Sequence, residues 1–203
     1  MKLYYSGASP FVRKVMVTAI ETGLDKKIEK MPTNVTPVSP NKDLAKDNPL
    51  MKVPTLLLDD GTALYDSYVI CEYLNSKSKG VKLLPESGKS RWQVMTLHAT
   101  ANGITDAGLL ARYEEVLRKP EQRHNEWVQG QIAKVNNGLD QLENNPKLLS
   151  GRINLGQIAV GCAIGWLEFR KPAGDIRKGR PKLFAWYDKF AQRPSMLATA
   201  PKA

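Results

Sequence analysis

Apolar and polar positions change period several times within the first eighty residues and then settle into a single helical rhythm. Residues 2–5 and 27–31 read as short strands, and between them the stretch 10–23 carries apolar residues at helical spacing. That helix is expected to close at Gly23, because glycine accepts the left-handed conformation of a helix end without a Cβ clash. A loop with Pro32, Pro37 and Pro40 follows, with a short helical turn expected over 41–46. Strand 55–58, the turn Asp59-Asp60-Gly61 and strand 62–65 form a hairpin pattern, and a helix over 67–77 completes the series. The order β-α-β then β-β-α is a thioredoxin-like arrangement.

Strand signals stop after the polar, glycine-bearing stretch from Lys77-Ser78-Lys79-Gly80 to Pro85-Glu86-Ser87-Gly88. Residues 89–118, 121–144, 154–169 and 182–192 are expected as helices, broken at Pro120, Asn144-Asn145-Pro146 and Lys171-Pro172-Ala173-Gly174. The expected organisation is an α/β thioredoxin-like domain over 1–78, a linker over 79–88 and an all-helical domain over 89–203. One helix start carries its own signature. Asn154 stands at the cap, Gln157 three residues on, and Ile153 faces Ile158 as a hydrophobic staple.

Composition narrows the class. The chain has 203 residues, of which 42% are hydrophobic and 25% charged, as in an ordinary globular protein. No stretch approaches the length of a membrane span, and the short apolar run after Lys2 is not a signal peptide, so a cytoplasmic location is expected. The formal charge of +10 favours anionic partners. Its basic residues are nonetheless spread along the chain, apart from the short clusters Arg177-Lys178-Gly179-Arg180 and Lys77/Lys79/Lys82, and no aromatic-interleaved motif accompanies them. Nucleic acid is therefore not an expected partner. Cys71 and Cys162 sit among apolar helical neighbours and read as buried, inert thiols, while His98 and His124 have no paired ligand or nucleophile spacing. No metal is expected.

The densest chemical information lies between Asn48 and Ser67. Pro54 cannot donate to a strand ladder and holds Val53 extended, which leaves the Val53 backbone open as a template for a peptide-like ligand. Asp66 and Ser67 then add an anion, a hydroxyl and free amides at a helix N-terminus. This is a site for the main chain and one carboxylate of a small peptide.

Ser9-Pro10-Phe11 opening the first helix, the run Asn48-Pro49-Leu50-Met51-Lys52-Val53-Pro54 and the Asp66-Ser67 cap occur in an order and spacing that resembles the glutathione S-transferase family, most closely its bacterial cytosolic members. Asn154-Leu155-Gly156-Gln157 and Gly165-Trp166-Leu167 are weaker echoes in the second half. Family members usually carry Ser or Thr where this chain has Asn154 and Asp where it has Gln157, and many have Glu where it has Asp66. The resemblance implies the two-domain transferase architecture, a homodimer, and a detoxifying conjugation of glutathione to a small electrophile, with peroxide reduction as a further activity. Glutathione would be a co-substrate, and no other cofactor is implied. Ser9 would be the catalytic group. Ser9, Phe11, Lys52, Val53, Pro54, Asp66 and Ser67 would hold glutathione, with Pro54 in the place of the family's cis-proline. Ala8, Ile104, Ala107, Leu110, Ala111 and Tyr113 would line the second-substrate pocket.

The chemistry required is modest. A free thiol with a pKa near ~8.5 is only about 3% thiolate at pH 7, and lowering that value by roughly two units takes about 2.7 kcal/mol. A hydroxyl donating to the sulfur contributes about 1.5–3 kcal/mol, and a helix N-terminus about 0.3–1 kcal/mol. Ser9 has both effects within reach. From the residues alone, however, Ser9 before Pro10 is a helix-capping pair, and a serine engaged in capping does not point at a ligand. Tyr5 and Ser6 are rivals for the role, with strand packing and turn formation as their ordinary uses. A transferase-like fold used as a non-catalytic binding or regulatory protein is the alternative, since fold alone does not establish catalysis.

Overall fold

The computed structural model describes residues 1–201, which divide into two compact units: 1–84 with 198–201, and Pro85–Leu197. In the first, β1 (Lys2–Tyr5) leads through α1 (Pro10–Glu21) to β2 (Glu29–Pro32), and the helical crossover makes β1 and β2 parallel. After α2 (Leu44–Asp47) come β3 (Thr55–Leu57), β4 (Ala63–Leu64) and α3 (Ser67–Lys77), with sheet order β2-β1-β3-β4. β3 runs antiparallel to both neighbours. Leu3 and Leu56 pair across β1 and β3 and are fully buried, as are Val15 of α1 and Ile70 and Leu74 of α3. α1 and α3 pack together, and the Thr18 hydroxyl donates to the Cys71 sulfur at 3.4 Å. Burial pushes the Cys71 thiol up, which suits an inert core sulfur.

The starts of β2 and of the second long helix differ from expectation. The strand expected over 27–31 begins at Glu29, because Asp25–Lys27 form a single 3₁₀ turn that no glycine or proline announces. The unit boundary falls between Leu84 and Pro85, within the stretch 79–88 expected as linker. Asn75 accounts for its position: its buried side-chain oxygen accepts the N–H groups of Leu83 (2.7 Å) and Leu84 (3.3 Å), fastening both leucines into the first unit. In the helical unit, residues 120–122 form a 3₁₀ turn, and the helix expected from 121 starts at Asn125, where His124 accepts from the Trp127 N–H at 3.2 Å.

The helical unit comprises α4 (Gly88–Leu117), α5 (Asn125–Asn144), α6 (Leu155–Arg170) and α7 (Pro181–Phe190), with the short α8 (Pro194–Ala198) beginning at its end. Residues Leu155 to Leu167 of α6 are all buried, as expected of a helix that is apolar on every side. α4 and α5 approach closely at Gly138, where a Cβ would come within 2.5 Å of the Ile104 side chain. Glu143 of α5 accepts the Lys182 and Leu183 N–H groups at 3.3 and 2.8 Å, satisfying the open start of α7. Among the described residues, no helix is long and apolar enough to cross a membrane.

Candidate functional site

Strand register gathers three segments at one end of the sheet. Tyr4 pairs with Thr55, so the next positions along, Tyr5 and Pro54, meet where β1 ends and β3 begins. Leu56 pairs with Leu64, which brings Tyr65 and Asp66 beside the same end of β3. The turn Ser6–Ser9 and the N-terminus of α1, the Val53-Pro54 step, and the Asp66-Ser67 start of α3 therefore share one edge. The Val53–Pro54 and Tyr65–Asp66 peptide bonds are both cis.

Each segment has hydrogen-bonding capacity that the fold does not use. Val53 lies just outside β3, half-buried, and neither its N–H nor its C=O is paired among the described residues. Ser67 is only 2% exposed, yet its hydroxyl makes no hydrogen bond among those residues. Asp66 caps α3 through one carboxylate oxygen, which accepts the Tyr68 N–H at 3.0 Å, leaving the other oxygen for a cation. Ser9 caps α1 by accepting the Val12 N–H at 3.3 Å. Capping and ligand contact are compatible here: the cap uses an acceptor lone pair, and the hydroxyl proton stays available as a donor. Ser6 is a turn residue whose carbonyl accepts the Ser9 N–H at 3.1 Å.

Of the two tyrosines, Tyr4 is taken up by the fold, donating to Asp47 at 2.6 Å. The Tyr5 hydroxyl lies near the Ser6–Ser9 turn, 3.7 Å from where a Gly7 Cβ would stand, and has no hydrogen-bond partner among the described residues. The Lys30 ammonium sits 5.0 Å from the Tyr5 ring centre. Phe11 is half-buried under the Lys14 ammonium, and Lys52 is exposed.

Asn48, which the sequence marks only as the head of the Asn48–Pro54 run, organises the Val53 edge. It is 1% exposed, and its amide donates to the Lys52 carbonyl (3.2 Å) and the Thr55 hydroxyl (2.9 Å) while its oxygen accepts the Leu50 N–H (2.9 Å). Thr55 donates back to the same Lys52 carbonyl at 2.9 Å. This closed set of bonds holds the loop up to Lys52, so that Val53 emerges extended and unpaired. The sequence signal of Asn48 is its place at the head of that run, six residues before Pro54.

The expected second-substrate residues divide. Ile104 and Ala107 belong to the helical core, Ile104 packing against α5 at Gly138. Ala111 is buried, Leu110 is 42% exposed, Tyr113 is half-buried with burial pushing its phenol up, and Ala8 is half-buried in the Ser6–Ser9 turn.

The basic clusters prove largely structural. Arg177 pairs with Glu168 and Asp188, and Arg180, 7% exposed, donates to Asp140, Asn136 and the Ile176 carbonyl. Lys82 donates to the Ser78 carbonyl at 2.9 Å, closing the end of α3.

Family models for the N-terminal and C-terminal domains of glutathione S-transferases match residues 8–77 and 125–189. The GST-like protein YibF of Escherichia coli is 33% identical over 99% of this chain and 98% of its own length. The chain belongs to the glutathione S-transferase family. A glutathione transferase family member from Pseudomonas fluorescens Pf-5, solved with bound glutathione, is 44% identical over 100% of this chain and 99% of its own, with a TM-score of 0.97. A second structure of a family member from that organism holds S-(propanoic acid)-glutathione. It is 42% identical over 99% of both chains, with a TM-score of 0.92. The fold is thus the glutathione transferase fold, a small mixed-sheet domain followed by a helical one.

Proposed function

We propose that this protein is a glutathione transferase that holds glutathione along Val53, stabilises its thiolate at the mouth of α1 and joins the sulfur to a small electrophile. The observation that carries the reading is the unused hydrogen-bonding capacity of Val53, Ser67, Asp66 and Ser9 at one edge of the sheet. The Val53 N–H and C=O suit the cysteinyl residue of the tripeptide, in the manner of an added strand. The Ser67 hydroxyl and the first amides of α3 suit the γ-glutamyl carboxylate, and the second oxygen of Asp66 suits the neighbouring ammonium. Lys52 is exposed toward solvent and takes the glycyl carboxylate in this reading. Glutathione bound to the Pseudomonas relative supports it, as does the conjugate in the second structure, a thioether of the kind the reaction makes.

The Ser9 hydroxyl donates a hydrogen bond to the sulfur, stabilising the thiolate after the thiol proton has gone to solvent. The S–C bond then forms as the leaving group departs with its electron pair, or as sulfur adds to a polarised double bond. Peroxide reduction uses the same thiolate: sulfur attacks the O–O bond and releases alkoxide, and a second glutathione converts the resulting sulfenic acid into disulfide and water. Position 9 carries no sulfur, so no mixed disulfide forms on the enzyme there. The reading includes a cytoplasmic homodimer, in which a second copy covers exposed Leu50 and Trp92. Sedimentation at micromolar concentration checks this, and a monomer throughout would remove it.

The deciding experiment follows the ultraviolet absorbance of bound glutathione thiolate against pH in the wild type and in Ser9→Ala. The midpoint is expected to rise by at least about one unit in the variant, equivalent to about 1.4 kcal/mol. An unchanged midpoint would exclude Ser9 and direct the same measurement to Tyr5→Phe, because that hydroxyl lies beside Gly7. Failure of the wild type to bind glutathione at all would remove the transferase reading.

A further inference from the structure

In the helical unit, α4 and α6 run side by side in the same direction. A Cβ on Gly156 would come within 2.9 Å of Leu97, and one on Gly108 within 2.9 Å of Leu167. One turn beyond the second contact, this register brings Arg112 of α4 beside Arg170, the last residue of α6. The two guanidinium groups are close enough to repel: burial first, and then the Arg112 charge, press the Arg170 pKa down from its usual value. Arg170 is half-buried, with its guanidinium carbon 4.3 Å from the centre of the Phe169 ring. It has neither a hydrogen bond nor a carboxylate partner among the described residues. Arg112, also half-buried, has one such partner, Glu115 at 3.4 Å.

An arginine that meets a ring with its face keeps its in-plane N–H donors for a planar anion. The C-terminus of α6 offsets part of the Arg170 charge but leaves those donors unsatisfied, and two like charges side by side favour an anion between them. The same stretch of α4 carries exposed Leu110 and half-buried Tyr113, whose hydroxyl has no hydrogen bond among the described residues. We infer that Arg112 and Arg170 form a carboxylate subsite, and that the electrophile is a short aliphatic acid with a leaving group on the carbon beside its carboxylate. The inference rests on the transferase reading, in which Leu110, Ala111 and Tyr113 line the electrophile's pocket. The arginine pair meets a specific need. Thiolate and carboxylate are both anions, and their repulsion opposes the approach of sulfur to a carbon next to the acid. The two guanidinium groups offset that repulsion. Sulfur then forms the S–C bond as halide departs with its electron pair, and the carboxylate stays ionised throughout.

The test sets an acid against its isosteric amide. Calorimetry compares S-carboxymethylglutathione with S-carbamoylmethylglutathione, which differ in charge and hardly in shape. In the wild type the acid is expected to bind at least about tenfold more tightly, by a margin that shrinks in raised salt, and this comparison needs no variant to fold. The ratio of the two affinities is expected to fall toward one in Arg170→Gln and, less completely, in Arg112→Gln. In turnover, the enhancement over uncatalysed alkylation of glutathione is expected to be at least about tenfold greater for iodoacetate than for iodoacetamide. Equal affinities in the wild type, a ratio unchanged in both variants, or equal enhancements would each overturn the carboxylate subsite while the transferase reading stands, since both conjugates still bind. Binding of neither conjugate, with glutathione also unbound, would remove the transferase reading and the subsite together.

Discussion

Helices α1 and α6 both begin at a polar cap, yet the two caps do different work. At α6, Asn154 accepts the Gln157 N–H at 3.0 Å, and the Gln157 oxygen accepts the Asn154 N–H at 3.2 Å. The Gln157 amide also donates to two carbonyls of the preceding turn, and the residue is only 3% exposed. At α1, half-buried Ser9 accepts one bond of 3.3 Å and keeps its proton. The start of α3 resembles α1: Asp66 uses one oxygen and the Ser67 hydroxyl uses nothing. A cap that closes on itself returns only stability. One with capacity left over gives up some local stability and gains a place for a ligand.

The strongest way to break this distinction is Gln157→Ala. It strands two carbonyls and an N–H at a buried helix start, at about 1–3 kcal/mol per orphaned group and so roughly 3 kcal/mol or more in all. Urea denaturation should show that loss while the variant, at temperatures where it is folded, binds glutathione as the wild type does. Affinity falling in step with stability would mean that the two regions are not separable in this way. Asn48→Ala should cost less, about 2 kcal/mol, because Thr55 still holds the Lys52 carbonyl. Glutathione affinity should nevertheless fall about tenfold, about 1.4 kcal/mol by calorimetry, as the Val53 edge loses its fixed geometry. Smaller again is Asn154→Ala, at about 1 kcal/mol of stability with no change in the thiol titration. Set beside Ser9→Ala it sharpens the contrast: both remove a cap, and only Ser9→Ala should move the thiolate midpoint.

The same contrast explains what the sequence could reveal. Helices α1 and α3 and strand β3 were legible to within a residue or two because Gly23, Pro54, the Asp59-Asp60-Gly61 turn and Ser67 punctuate them. The start of β2 was misplaced because the Asp25–Lys27 turn carries no such mark. Pro120 and Glu121 look like the first residues of a helix, and only the bond from the Trp127 N–H to His124 reveals the later start. Helix α8, five residues long, is too short for its period to register. At the site, Val53-Pro54 and Asp66-Ser67 could be read because their chemistry is local. Asn48 could not, since its meaning depends on reaching Thr55. The core packing of Ile104 and Ala107 was hidden for a related reason: a helical stripe does not say whether its neighbours are core or cavity.

The finest test contrasts the adjacent tyrosines of β1. The Tyr4 phenol is pushed from 10.0 up to about 12, first by its hydrogen bond to Asp47 and then by burial. Because folding raises this pKa, the neutral phenol is the form that the folded state favours. Its contribution is therefore complete below pH 10 and is lost as pH climbs through about 12. Tyr4→Phe should cost about 1 kcal/mol or less at neutral pH, since a bond to a charged group is worth about 1.5–3 kcal/mol before solvent screening reduces it. The variant should also lose that part of the alkaline decline in stability between pH 10 and about 12. Denaturation curves at neutral pH and across that window provide the check, and parallel declines in wild type and variant would remove Asp47 as the partner that matters. Tyr5→Phe should leave both curves unchanged, because the Tyr5 hydroxyl holds nothing among the described residues. If Tyr5→Phe instead lowered stability as much as Tyr4→Phe, the Tyr5 hydroxyl would be part of the fold, and its place beside Gly7 would carry no chemical meaning.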